Sequence, residues 1–239
     1  MELIVTASYE DMSRRAADRM AACIASKPAC VLGLATGSTP LGLYGCLAAD
    51  HAAGTLSFAE VTTFNLDEYC GLEGTHPQSY RYFMDENLFG KVDVDPARTH
   101  LPSNSGDDPA TYDRAIEAAG GVDLQLLGLG HNGHIGFNEP AGDFAAHTHR
   151  VTLAQRTREA NSRLFASIDE VPTEAVTMGV GTIMRARAIL LVVSGADKAS
   201  ILKQVVEGPV TPSVPASILQ FHPNVTVVAD EAAASELAR

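Results

Sequence analysis

Basic side chains are scarce in this chain: 17 Lys and Arg stand against 29 Asp and Glu, a formal charge of -12. Nucleic acids and anionic membranes bind clustered cations, so neither is expected as a partner. Long apolar runs are also missing. The most apolar window, Ala188 to Val193, is far shorter than the roughly 20 residues that a membrane span needs. The amino terminus, MELIVTASYEDM, has no basic segment leading into an apolar core, so no secretory signal is read and the expected location is cytoplasmic. Cys23, Cys30, Cys46 and Cys70 fall at irregular intervals without a CxxC. That excludes a disulfide framework and a cysteine-based zinc site, and predicts reduced, mostly buried thiols. Neither GxGxxG nor the Walker spacing GxxxxGK[ST] follows a strand, so no nucleotide cofactor is expected.

What is present suffices for a full core: 239 residues, 46% of them hydrophobic. Leu3–Ala7 reads as a strand, and Tyr9–Ser26 as an amphipathic helix with Met12, Ala16, Met20 and Ile24 at four-residue steps. Cys30–Leu34 is a second strand. It breaks at ATGST before Pro40, whose fixed φ suits the start of a helix behind hydroxyl caps. Val61–Leu66 predicts a third strand, Ser79–Phe89 and Ala110–Ala119 helices, and Leu124–Leu129 a buried strand. Gln155–Phe165 then reads as a helix, Ala175–Val180 and Ile189–Val193 as strands, the segment holding Ile201, Leu202, Val205 and Val206 as a helix, and Val225–Val228 as a last strand. Alternation of this kind predicts an α/β fold, Rossmann-like, with a mainly parallel sheet covered by helices on both faces. No repeat or linker divides it, so one domain spanning 1–239 is expected.

In such sheets ligands bind beyond the carboxyl ends of the strands. Three strand ends carry polar segments: ATGSTP at 35–40, DEY at 67–69 and HNGHIGFNEP at 131–140. The first could cradle a phosphate with backbone N–H groups and hydroxyls, or could be a turn with a hydroxyl cap. Asp67 could be a desolvated proton acceptor, or could cap a turn or pair with a cation. His134 and Glu139 could couple, the carboxylate fixing the imidazole's tautomer and raising its basicity, while Asn132 can orient but cannot titrate. His131 and His134 also stand three apart near Glu139, with His147 and His149 downstream, but the intervening glycines oppose the helix that would align them on a metal, and none is expected. Arg163 and Lys198 are the cations available for an anionic ligand.

Together these segments resemble the glucosamine-6-phosphate deaminase family. The likeness runs through LGLATGSTPLGLY, VTTFNLDEYCGL, HPQSYRYFM, LLGLGHNGHIGFNEPA, TREANSR, TMGVGTIMRAR and ILQFHP, and NLDEY with GHIGFNEP is its most specific part. It implies conversion of glucosamine 6-phosphate and water to fructose 6-phosphate and ammonia, without a cofactor. By resemblance Asp67 moves a proton from C2 toward C1, and His134 opens the sugar ring with Glu139 as its partner. Gly37, Ser38, Thr39, Arg163 and Lys198 would hold the phosphate, and a homo-oligomer is compatible with the family. Asn132 stands where some members have aspartate and others asparagine, so a strict Asp, His, Glu triad is not available here. Activation by N-acetylglucosamine 6-phosphate is expected to be weak or absent, because AGDFAAHTHRVTL lacks a basic cluster and the chain stops at Arg239. A 6-phosphogluconolactonase, a galactosamine-6-phosphate deaminase and a phosphosugar sensor are the rival readings.

Overall fold

A computed structural model describes residues 1–153, 155, 158, 165 and 167–238. Strand β1 (Glu2–Thr6) leads into helix α1 (Tyr9–Ser26), whose start is fixed by Ser8 accepting a hydrogen bond from the Asp11 N–H. The four-residue period is real: Met12, Ala16, Met20 and Ile24 are all buried. Then follow β2 (Val31–Leu34), α2 (Leu41–Ala52), β3 (Thr62–Asn65), β4 (Asp67–Tyr69), α3 (Tyr80–Asn87), β5 (Thr99–His100), α4 (Ala110–Ala118) and β6 (Leu124–Gly128). The described part of the second half holds β7 (His149–Thr152), β8 (Glu174–Thr177), a short α5 (Val180–Ile183), β9 (Ile189–Val193), α6 (Ala199–Glu207) and β10 (Val225–Asp230).

Seven strands form one parallel sheet in the order β1-β10-β9-β6-β2-β3-β5. Every residue of β9 is buried, as both faces of a covered parallel sheet require. Each such aliphatic side chain contributes about 1.5–3 kcal/mol by leaving water. The α/β, Rossmann-like reading therefore holds. From β2 the chain runs outward through β3 to β5 and then returns to β6 on the other side of β2. The reversal opens a crevice between the carboxyl ends of β2 and β6, where the first and last of the polar segments emerge.

Some expectations need correction. The strand read at Ala175–Val180 is β8, ending at Thr177, and it does not join the parallel sheet. It pairs antiparallel with β4 and β7 in a separate three-stranded sheet. DEY is itself the strand β4 rather than a loop. The chain crosses between sheets at Leu66, whose N–H donates to the Leu34 carbonyl (3.0 Å) while its own carbonyl accepts from Met178 N–H (2.6 Å). Of the four cysteines, all free, Cys30 alone is buried and the others are half-buried. The helix read at Gln155–Phe165 lies largely outside the described residues. Among those described, no helix is long and apolar enough to cross a membrane.

Candidate active site

A cavity of about 520 Å³ opens at the crevice, lined by residues 35–40, Leu66, Asp67, Tyr80, the loop after β6, and Ser194, Asp197 and Lys198 beyond β9. Its size suits a small metabolite.

One wall is the turn after β2. Gly37 sits at φ +110°, a region that L side chains avoid. The hydroxyl cap expected for α2 is not made: Pro40 occupies the cap position and no side chain bonds there. Gly37, Ser38 and Thr39 line the cavity, and the Ser38 and Thr39 hydroxyls are uncommitted to the helix. Two tyrosines brace the turn. Tyr44 donates to the Ala35 carbonyl (2.6 Å). The Tyr9 hydroxyl lies 3.2 Å from the carbonyls of Ser38 and Thr39 and accepts from Gly42 N–H at 2.8 Å.

The floor carries Asp67, 6% exposed. Burial, and secondarily the charge of Glu68, push its pKa up to about 8. Gly136, at φ +59°, lets the loop after β6 approach it: a Cβ there would lie 3.3 Å from Asp67 Oδ2 and 2.8 Å from Thr177 Oγ1. On the far wall the His134 ring lies against Gly130, where any Cβ would come within 2.3 Å of it. His134 Nδ1 faces Glu139 Oε1 at 3.4 Å, an ion-pair distance without the alignment of a hydrogen bond. Asn132 links the two, its Nδ2 donating to Glu139 Oε2 at 2.5 Å and its Oδ1 accepting from His134 N–H at 3.3 Å. An imidazole held by a carboxylate beside a buried acid can move protons on a ligand between them.

The family described as "Glucosamine-6-phosphate isomerases/6-phosphogluconolactonase" matches residues 6–228. The chain belongs to this family. A glucosamine-6-phosphate deaminase from a Geobacillus strain is 52% identical, over 98% of this chain and 95% of its own length. One from Lachnoclostridium phytofermentans is 51% identical over 95% and 98%. Among solved structures, a monomeric glucosamine-6-phosphate deaminase superposes with a TM-score of 0.95 at 44% identity, covering 99% of this chain and all of that one. A 6-phosphogluconolactonase from Trypanosoma cruzi, at 19% identity and a TM-score of 0.79 over 100% and 97%, shares the fold.

In this isomerase-family chain Asp67, Asn132, His134, Gly37, Ser38, Thr39 and Lys198 meet at one cavity, with Glu139 behind the histidine. Arg163 lies outside the described residues. Lys198 is half-buried, and desolvation pulls its pKa down against the opposing charge of Asp197. Of the other histidines weighed as ligands, His131 is held by Asp197 (2.7 Å) and His147 faces Asp113 (3.2 Å). Among the described residues no group of three or more His, Cys, Asp or Glu is arranged to hold a metal ion.

Sequence reasoning passed over Tyr80, giving it no role within the helix expected at Ser79–Phe89. Its ring stacks on Phe137 (6.0 Å) and tilts against Tyr69 (4.8 Å), and it lines the cavity. Burial pushes its hydroxyl well above the ordinary tyrosine range, so it stays a donor. The signal was an HPQSYRYFM segment following DEY, in which a tyrosine beside a serine cap begins a helix at the site.

Proposed function

We propose that this family member is a glucosamine-6-phosphate deaminase, converting glucosamine 6-phosphate and water to fructose 6-phosphate and ammonia in amino-sugar catabolism. The observation that carries the mechanism is Asp67: a buried carboxyl with raised pKa that lines one cavity with the turn at Gly37, Ser38 and Thr39 and with His134, itself at ion-pair distance from Glu139. Relatives of that name at about half identity over nearly the whole chain support the assignment.

In this reading Gly37, Ser38 and Thr39 receive the phosphate through N–H and hydroxyl donors, and Lys198 and Arg163 supply charge. Local cations let a protein of charge -12 hold a dianion. His134, steadied by Glu139 and Asn132, relays a proton between the sugar oxygens and opens the ring. Asp67 then takes the proton from C2, beside the new aldehyde, and returns it to C1. The C2 iminium that results is hydrolysed by water to the ketone, and ammonia leaves. Fixing a carboxylate beside the carbon acid supplies the proximity that proton abstraction needs.

The purified protein, treated with a chelator, is expected to release ammonia from glucosamine 6-phosphate. Sugar-phosphate binding without ammonia would replace the enzyme by a sensor, and turnover of 6-phosphogluconolactone instead would make it a lactonase. The same assay with galactosamine 6-phosphate sets the epimer preference. Added N-acetylglucosamine 6-phosphate is expected to change the rate little.

A further inference from the structure

The turn that carries Lys198 hangs from two strand ends. β9 finishes at Val193, which pairs with Ala229 of β10, and one residue further along each strand the side chains of Ser194 and Asp230 meet. Asp230, the last residue of β10, is buried. The Ser194 hydroxyl donates to its Oδ2, the Gly195 N–H is shared between its two oxygens (3.1 and 3.2 Å), and Ala233 N–H donates to Oδ1 (2.7 Å). Gly195 sits at φ +98°, and a Cβ there would lie 2.6 Å from Asp197 Oδ1, so this position requires glycine. Its carbonyl accepts the Lys198 N–H (3.0 Å), closing the single 3-10 turn Ala196–Lys198 that leads into α6. A carboxylate on β10 thus reaches the backbone of Lys198 through one residue. The other side-chain grip on the turn among the described residues is the His131–Asp197 pair, both more than half exposed. Such surface pairs hold weakly against water and salt.

We infer that Asp230 is a positioning residue for phosphate recognition: it fixes the Ser194–Gly195 backbone and, through it, the point from which Lys198 reaches the cavity. This rests on the reading of Lys198 as a cation for the substrate phosphate. Ser194, Asp197 and Lys198 line the cavity, whereas Asp230 does not. Lysine is a point charge on a flexible stem, so its aim depends on where the backbone holds it. The link between carboxylate and lysine is a glycine, the residue freest to leave its conformation. Hydrogen bonds to an ionised carboxylate are roughly twice as strong as neutral ones, and Asp230 gives Gly195 such a bond at its N–H while Lys198 occupies its carbonyl. Without the carboxylate, the Gly195 N–H and the Ser194 hydroxyl lose their partner and the turn no longer has one geometry. The phosphate does not react, so contacts to it hold ground state and transition state alike. Their loss raises KM and spares kcat.

The test titrates inorganic phosphate into the full-length protein and, separately, measures steady-state ammonia release from glucosamine 6-phosphate. Asp230→Ala is expected to raise the phosphate Kd and the KM at least about tenfold while kcat falls by less than about threefold. Asp230→Asn should recover most of this, with a Kd about threefold above that of the natural protein, because its oxygen can still accept N–H groups and its NH₂ can donate to Ser194 Oγ, but without the charge. Lys198→Ala should weaken phosphate binding at least as much as Asp230→Ala, and adding Asp230→Ala to it should change Kd by less than about twofold further, since the carboxylate acts through the lysine. The proposal is overturned if folded Asp230→Ala binds phosphate normally, if it loses kcat with KM unchanged, or if the two losses simply multiply in the double variant. Should Asp230→Ala fail to fold, Asp230→Asn decides: an unchanged phosphate Kd overturns the proposal. Phosphate binding that depends on Asp230 without any ammonia release would uphold the positioning role and remove the deaminase reading instead.

Discussion

Asp67 and Glu68 are consecutive residues of one short strand, both buried, and they face opposite surroundings. Glu68 points to the start of α3, where Oε1 accepts the N–H groups of Tyr69 (2.8 Å) and Tyr80 (3.0 Å) and Oε2 that of Arg81 (2.9 Å). Burial raises its pKa, and those three bonds pull it back. Asp67 points to the cavity, and among the described residues its carboxyl has no hydrogen-bond partner. One acid is satisfied by the fold and holds a helix. The other is left for a ligand to satisfy, so the fold bears a cost that substrate binding can recover.

The sharpest break of this contrast is Asp67→Asn. Asp67 is the proposed base, so its loss is expected to lower kcat at least about a hundredfold while substrate binding stays measurable. Because charging this buried group opposes folding, the same variant should melt several degrees higher at pH 8. A near-normal kcat would remove Asp67 from the chemistry, and an unchanged Tm would mean its surroundings are not hostile to charge.

The next effect is on pH. A base with a free-state pKa of about 8 makes log kcat/KM fall by about one per pH unit on the acid side of that value. A substrate ammonium near the carboxylate favours its ionised form, so the acid limb of kcat should lie at lower pH than that of kcat/KM. The stability sign is opposite to that of a salt-bridged acid. With a folded value of about 8 above an ordinary value of 3.8, the folded state binds more protons between the two. The contribution of Asp67 is then fully present below pH 4 and is lost as pH rises to 8. Urea melts across that range should show the decline in the natural protein and lack it in Asp67→Asn. A flat profile in both would rule out the raised pKa.

The same contrast explains what the sequence made legible. Periodicity and apolar runs reveal elements that bury a face by themselves, such as α1, β6 and β9. It could not reveal β4 as a strand, because Asp, Glu and Tyr carry no apolar alternation and the pairing partner β8 begins 107 positions after Asp67, at Glu174. The two-residue β5 and the polar β7, HRVT, are hidden for the same reason: tertiary pairing alone defines them. At the site, Asp67, His134 and Glu139 were visible as chemical types at strand ends, and the resemblance supplied their roles. The supports were not visible. Tyr9 and Tyr44 look like helix-face residues until their hydroxyls are found on the turn after β2, and Glu68 looks like a duplicate of its neighbour until its three N–H donors are counted.

Glu68→Gln gives the smallest and most discriminating effect. The amide keeps one acceptor oxygen, which can still serve Tyr69 and Tyr80, but its NH₂ then faces the Arg81 N–H, donor against donor. The orphaned N–H and the lost charge at a helix start should cost about 2 kcal/mol, a fall in Tm of about 4–8 °C for a protein of this length. The charge of Glu68 is the second cause of the raised Asp67 pKa, so its removal should move the acid limb of kcat/KM to lower pH. Plateau kcat should stay within about twofold, since Glu68 does not line the cavity and its oxygens are taken up by backbone N–H groups. A limb that stays in place would leave desolvation alone to set the Asp67 pKa. A kcat loss approaching that of Asp67→Asn would mean that the two acids act as one coupled pair, and their division into a structural and a chemical carboxylate would fall.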